Sequence, residues 1–198
     1  MAKSILFMTT TNLSTNPRLL KEIMLAGKNG FEVSFIAFKL DNWSDATDKM
    51  HVQNLDGVKA IYLSATKKPL LNWLLSTLVW KACHWVGILF PNLLLPNAWA
   101  HNKRSFLISR SLKKNKSRYD LVISHNLVAL YPALCYAKKH QIPFAFDLED
   151  YHPGESCSPA EKKRREFLMQ NLVPKAAYFS YASPLIGEHS IKVLRGDK

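Results

Sequence analysis

The stretch DLEDYHPGE at positions 147–155 gathers Asp147, Glu149, Asp150, His152 and Glu155 directly behind an apolar run, IPFAF. Carboxylates this close repel one another, and repulsion combined with burial raises a carboxyl pKa toward neutrality. Crowded acids beside a histidine suit acid/base work or the recognition of hydroxyl groups. Glu149, Asp150 and His152 are therefore the catalytic candidates, with Asp147 and Glu155 as binding residues. The acid-x-acid spacing also invites a metal ion. No other cluster of acids or histidines along the chain supports one, so hydroxyls or a partner arginine are the better matched ligands and no metal is expected.

A second polar stretch, TTTNLSTNPR at 9–18, follows the apolar run ILFM and contains no glycine. Loops that wrap phosphate with backbone amides use glycine for the close approach. Here Asn12, Asn16 and Arg18 can offer only side-chain groups. Thr15 or Asn16 before Pro17 is also a helix-start signal, repeated at Ser183-Pro184. His125 and Asn126 close a third apolar run, where a histidine bonded to its own turn is as good a reading as a ligand contact. His51, His84, His101, His140 and His189 read as surface or packing residues.

These residues need elements to hold them. Short apolar runs alternate with segments of helical period, the pattern of a parallel sheet wrapped by helices. Strands are expected at 4–8, 31–38 (FEVSFIAF), 58–63, 119–126 (YDLVISHN), 142–150 and 176–183 (AAYFSYAS). Helices are expected at 17–29, 127–140, 159–172 and from 184 onward, with one long helical stretch between the third and fourth strands. Six strands joined by right-handed crossovers make a Rossmann-like, doubly wound α/β sheet. Ligands in such sheets gather at the carboxyl ends of the strands, where all three polar stretches fall.

At 198 residues, 47% hydrophobic and 21% charged, the chain is long enough for one well-packed domain. Cys83, Cys135 and Cys157 are odd in number and far apart, which points to reduced thiols in the cytoplasm. The first apolar run is too short for a signal peptide. The net charge of +12 is concentrated, since no Asp or Glu occurs from Gly57 to Tyr119 while eleven Lys and Arg do. Such a field attracts nucleic acid or an anionic membrane. Within it, LLNWLLSTLVWKACHWVGILF (70–90) is apolar on every helical face. Lys81 and His84 near its middle make spanning a bilayer expensive, whereas a helix lying among headgroups tolerates them. Trp73, Trp80, Trp85, Lys103 and Arg104 are the expected membrane contacts. A buried helix, or one covered by a partner, is the alternative. Nucleic acid is the weaker partner, because the aromatic residues are not interleaved with the basic run RSLKKNKSR.

Three segments, NPRLLKEIMLAGKNGFEVSFIAF, YDLVISHNLVALYPALCYAKKHQIPFAFDLEDYHPGE and KAAYFSYASPLIGEH, together resemble the N-terminal half of a family 4 glycosyltransferase of the GT-B fold. The resemblance covers nearly the whole chain in order and spacing. It implies transfer of a sugar from a nucleotide-sugar donor, a substrate rather than a cofactor, to a glycan or lipid-linked acceptor, without a metal and with retention at the anomeric carbon. It places Asn12, Asn16 and Arg18 near the donor phosphates and His125 and Asn126 beside the acceptor. Glu149 stands where many relatives have a histidine that contacts the transferred sugar, and the glycine pair that relatives carry in the first loop is missing. The donor-binding domain with its paired glutamates is absent by this reading, since the chain stops at Lys198. The chain alone is then expected to be inactive, as a fragment or as one half of a split enzyme on the inner face of the membrane. A non-catalytic membrane-anchoring subunit of a split transferase is the alternative.

Overall fold

The computed structural model describes residues 2–196, so Lys198, where the sequence reading ends its domain, lies outside the described residues. Strands β1 (Ser4–Met8), β2 (Glu32–Lys39), β3 (Lys59–Ser64), β4 (Leu121–His125), β5 (Phe144–Leu148) and β6 (Tyr178–Tyr181) form one six-stranded sheet in the order β3-β2-β1-β4-β5-β6. Every pairing is parallel. The order reverses between β1 and β4, and this switch point opens a crevice beyond the carboxyl ends of those two strands.

Two apolar faces explain why the central strands are continuous hydrophobic runs. Because successive side chains alternate across a sheet, Leu6, Met8, Ile36, Phe38 and Val122 enter one core while Ile5, Phe7, Phe35, Ala37 and Ile123 enter the other. Helix α1 (Pro17–Lys28) covers the second core with Leu19, Ile23 and Ala26. The first core is covered by α4 (Leu94–His101), α5 (Lys103–Lys114), α6 (Leu127–His140), α7 (Pro159–Leu172) and α8 (Pro184–Arg195). Each fully buried Leu, Ile or Phe contributes about 1.5–3 kcal/mol, which is what holds the layers together.

The sequence reading differs from the structure in three places. Residues 44–53, to which it assigned nothing, form α2 (Ser44–Gln53), a polar helix of little amphipathic character. Tertiary hydrogen bonds hold it instead: Asn12 Nδ2 donates to Ser44 Oγ at 2.6 Å, and Ser14 N donates to Asp48 Oδ1 at 3.1 Å. The long helical stretch is three helices, α3 (Leu70–Leu89), α4 and α5, broken at 90–93 and at Asn102, whose side chain caps α5. The last three strands are also shorter than expected, which leaves Glu149 and Asp150 on the loop behind β5.

Helix α3 turns its apolar side outward. Ser76, Cys83 and Gly87 are buried against α4 and α5, while Leu71 (81% exposed), Leu78, Trp85 (68%), Ile88 and Leu89 face away from the domain. Among the described residues, no helix is long and apolar enough to cross a membrane.

Candidate active site

The crevice at the switch point has a volume of about 480 Å³ and is walled by Thr10, Thr11 and Thr15 after β1, His101 and Asn102 before α5, Asn126, Leu127 and Val128 at the start of α6, and the loop behind β5. That loop contributes Glu149, Asp150, His152 and Glu155, and α7 adds Glu161 and Arg165. Five of the residues singled out from sequence, Asn126, Glu149, Asp150, His152 and Glu155, therefore meet in one cavity.

Beneath it lies a charge network that the sequence did not disclose. Asp147 is fully buried, and the Arg18 guanidinium grips it bidentately, with Nη2 donating to Oδ1 at 2.7 Å. Ser180 Oγ donates to the same Oδ1 at 2.5 Å. Burial alone would raise the Asp147 pKa, but the Arg18 and Ser180 hydrogen bonds outweigh it and hold the carboxyl below its usual range. Asp147 is thus neither a proton donor nor a free ligand. Arg18 meets a carboxylate and not open space, though its side chain stays 36% exposed.

His125 is completely buried beside this pair. Its Nδ1 donates to Glu149 Oε1 at 2.9 Å and lies 3.5 Å from Asp147 Oδ2. Its Nε2 is 3.2 Å from a Glu22 oxygen, close enough for charge attraction but out of line for a hydrogen bond. Burial pushes the imidazole pKa down, yet the Glu149 hydrogen bond and the nearby charges of Glu22 and Glu149 overcome it and raise the value to about 9. His125 is an imidazolium at neutral pH that aims Glu149, not a group open to ligand. The sequence gives no site role to Glu22, Glu161 or Arg165 and reads His101 as surface or packing, whereas Ser180 falls in the expected strand-end loop 180–183. Glu22, His101 and the pair Glu161 and Arg165 sit on α1, α4 and α7, and no spacing in the sequence links them to the acidic loop.

Crowding was expected to raise the loop acids. Instead Glu155 is held low, chiefly by its hydrogen bond from His152 Nδ1 at 2.8 Å and secondarily by Arg165 at 2.8 Å. Glu161, although burial opposes it, is held low by His101 and Arg164. His152 within the loop, and His101, Arg164 and Arg165 on neighbouring helices, offset the repulsion that the sequence alone shows.

Asn12 and Asn16 do not reach the crevice as ligand donors. Asn12 Oδ1 accepts from Thr15 N at 3.2 Å while its amide ties the loop to α2. Asn16 Oδ1 caps α1 by accepting from Leu19 N at 2.9 Å. Asn126 is different. Its φ of +67° and ψ of 154° lie where non-glycine residues rarely go, at a cost of about 1–3 kcal/mol. It places no side-chain cap on α6, whose first residues Leu127 and Val128 line the crevice.

Glu22, His125 and Asp147 bring ligand-capable atoms within 4.8 Å of one another. A cation there would have to displace Arg18 from Asp147 and join an imidazolium, so the donor set suits the ion-pair network better than a metal.

Of the expected membrane contacts, two point inward. Trp80 Nε1 donates to the Ala100 carbonyl at 2.8 Å, and Arg104 donates to the Thr10 carbonyl at 2.6 Å while lying 5.4 Å over the Phe38 ring. Trp85 is exposed, whereas Trp73 is half-buried with Lys67 and Lys103 at 5.6 and 5.1 Å from its ring centre.

No protein-family model and no curated protein sequence matches the chain. Solved structures do match in fold. LpCGTa in complex with UDP aligns with all of this chain at 8% identity and a TM-score of 0.55. Anabaena Alr3699/HepE in complex with UDP and glucose aligns with 99% of it at 14% identity and 0.53. The chain has the fold of a GT-B glycosyltransferase domain. A putative UDP-N-acetylglucosamine 2-epimerase from Listeria monocytogenes shares it, at 13% identity over the whole chain and a TM-score of 0.50. The chain spans 52%, 42% and 44% of these three molecules, or about half their length.

Proposed function

We propose that the chain is the acceptor side of a glycosyltransferase that moves a sugar from a nucleotide-sugar donor to a hydroxyl of a glycan or lipid-linked acceptor. The observation that carries this reading is a carboxylate-walled crevice at the switch point of a GT-B type sheet. Carboxylates repel a diphosphate but accept hydrogen bonds from hydroxyls, so the crevice suits the acceptor and the sugar ring, with the donor's phosphates held mainly elsewhere. Glu149 uses one oxygen for His125 and keeps the other for an acceptor hydroxyl, with Asp150 beside it. In the transfer, the acceptor oxygen bonds to the anomeric carbon as the bond from that carbon to the diphosphate oxygen breaks. The diphosphate leaves with the electron pair and takes up the hydroxyl proton. Glu149 orients the hydroxyl, and His152, held by Glu155, contacts the sugar. Retention and independence of a metal follow from the family resemblance.

A donor-binding domain or subunit completes the cleft in this reading. Orientation of both reactants supplies much of a transferase's rate, so the chain by itself is inactive. The cytoplasmic face of a membrane is the proposed location. Joined to a donor-binding half, the chain should support acceptor-dependent release of nucleotide diphosphate, and Glu149→Gln should cut turnover about a hundredfold with the fold intact. Normal turnover in that variant, or no transfer from any common nucleotide sugar, would count against the proposal. A second reading, a non-catalytic subunit that anchors a donor-binding partner at the membrane, is favoured by the outward apolar face of α3. It predicts that the partner transfers sugar unaided and that this chain changes only its flotation with vesicles.

A further inference from the structure

A second cavity, of about 390 Å³, lies between the ends of β2 and β3 and the helices α3 and α5. Lys39, Lys68, Lys103, Arg110 and Lys114 line it, and Ser64 and Thr66 add hydroxyls at the carboxyl end of β3. No Asp or Glu is among its lining residues, and among the described residues none of these five cations forms an ion pair. Lys103 rests on the Trp73 ring, and Arg110 Nη1 donates to Asn72 Oδ1 at 3.4 Å. Burial and the neighbouring Arg104 charge lower the Lys103 pKa, as expected of a cation gathered with others and given no counter-charge. Converging unpaired cations raise their own electrostatic energy, and a multiply charged anion relieves it.

Two further observations say how such an anion would arrive. The cavity and the crevice flank one stretch of backbone: Asn102 lines the crevice and Lys103 lines the cationic cavity. Adjacent Cα atoms are about 3.8 Å apart, so the two cavities are near neighbours. On its other side the cavity is bounded by Asn72, Trp73 and Ser76 of α3, whose outer face exposes Leu71, Leu74, Leu75 and Leu78. Lys67 and Lys68 precede that face, and α5 closes with Lys113 and Lys114. Apolar side chains ringed by cations complement an anionic lipid surface.

We infer that the cavity between β3, α3 and α5 binds the phosphate or diphosphate group of a lipid-linked acceptor, with α3 resting on the membrane that carries the lipid. The assignment to an acceptor rests on the transferase reading; the phosphate chemistry rests on the cavity alone. The acceptor's sugar hydroxyl then enters the carboxylate crevice while its phosphate stays among the lysines. The two cavities sort the ligand by charge.

The test uses the chain itself and needs no transferase activity. Calorimetric titration with inorganic pyrophosphate should show binding that weakens about tenfold for each of Lys103→Gln and Arg110→Gln. Lys138→Gln, on α6 away from the cavity, should bind unchanged. None of these substitutions removes a partner from a carboxylate, and thermal melts check that the variants stay folded. Absence of pyrophosphate binding, or equal binding by the cavity variants, overturns the proposal. In a second arm, vesicles containing a polyprenyl phosphate should bind the chain more tightly than vesicles of equal charge built from a phosphodiester lipid. Leu71→Gln with Leu78→Gln should abolish vesicle binding and leave pyrophosphate affinity unchanged. Equal binding to both kinds of vesicle overturns the lipid assignment and makes a water-soluble phosphate ester the ligand. If pyrophosphate binds as expected while the reconstituted enzyme transfers no sugar, the transferase reading fails and the phosphate site stands.

Discussion

Raising the pH through the window from 6.5 to about 9 should remove a specific contribution to stability, the ion pairing of His125 with Glu149 and Glu22. The imidazole is fully buried, so its charge persists only because the carboxylates outweigh burial. A folded-state pKa above the unfolded one means that the folded state holds the proton more tightly. The contribution is therefore complete below 6.5 and lost as pH rises through about 9. At about 1.4 kcal/mol per pH unit, the gap between 6.5 and about 9 corresponds to about 3 kcal/mol. Urea unfolding of wild type and His125→Gln across this window isolates the effect, because other titrating groups cancel in the difference. The stability gap between the two proteins should shrink by about 3 kcal/mol from the acid to the alkaline end. NMR titration of the imidazole Cε1 proton reads the same pKa directly, and Glu149→Gln should lower it by removing the strongest partner. A gap that does not change with pH, or an imidazole that titrates at or below its ordinary value in wild type, would refute the network.

Two further outcomes follow from the same site. Arg18→Met should destabilise by about 2 kcal/mol in urea, below the full cost of breaking a buried pair because Arg18 is partly exposed; Arg18→Met with Asp147→Leu should recover most of it, and no recovery would mean that the pair is not what holds Arg18. Asn126→Gly should leave the thermal midpoint equal or higher, because glycine enters the φ of +67° freely, whereas Asn126→Ala should lower it. Equal losses in both variants would show that the amide contact to Thr9 Oγ1, at 3.3 Å, matters more than backbone strain.

The acidic loop illustrates how far sequence carried the site. Five charged or titratable groups in nine residues marked Asp147–Glu155 as chemically active, and four of them line the crevice. Their electrostatics were not legible, because apart from His152 the offsetting partners, Arg18 of α1, His125 at the end of β4 and Arg165 of α7, lie elsewhere along the chain. A partner arginine was named as a good match for the acids, and Arg18 is that arginine for Asp147. Asn16 is visible in the sequence both as a helix-start residue and as a ligand candidate, Asn12 only as a ligand candidate. In the structure both act as caps, since their side-chain Oδ1 atoms accept from the Thr15 and Leu19 backbone amides. Helix α2 has no hydrophobic period to mark it; hydrogen bonds from the β1 loop, from the turn after β2 and from Tyr62 of β3 support it.

What the sequence determined by itself was local: alternating apolar runs that become parallel strands buried on both faces, Pro17 and Pro184 behind capping Asn16 and Ser183, and an acid-free span from Gly57 to Tyr119. Periodicity and capping depend on neighbours along the chain, so a linear reading reaches them. Tertiary structure decided which charges meet. It brought Arg18 to Asp147, enclosed His125 among three carboxylates, and turned the apolar side of α3 outward with its small residues packed inside. Electrostatic energy falls off with distance through space, and folding alone sets those distances.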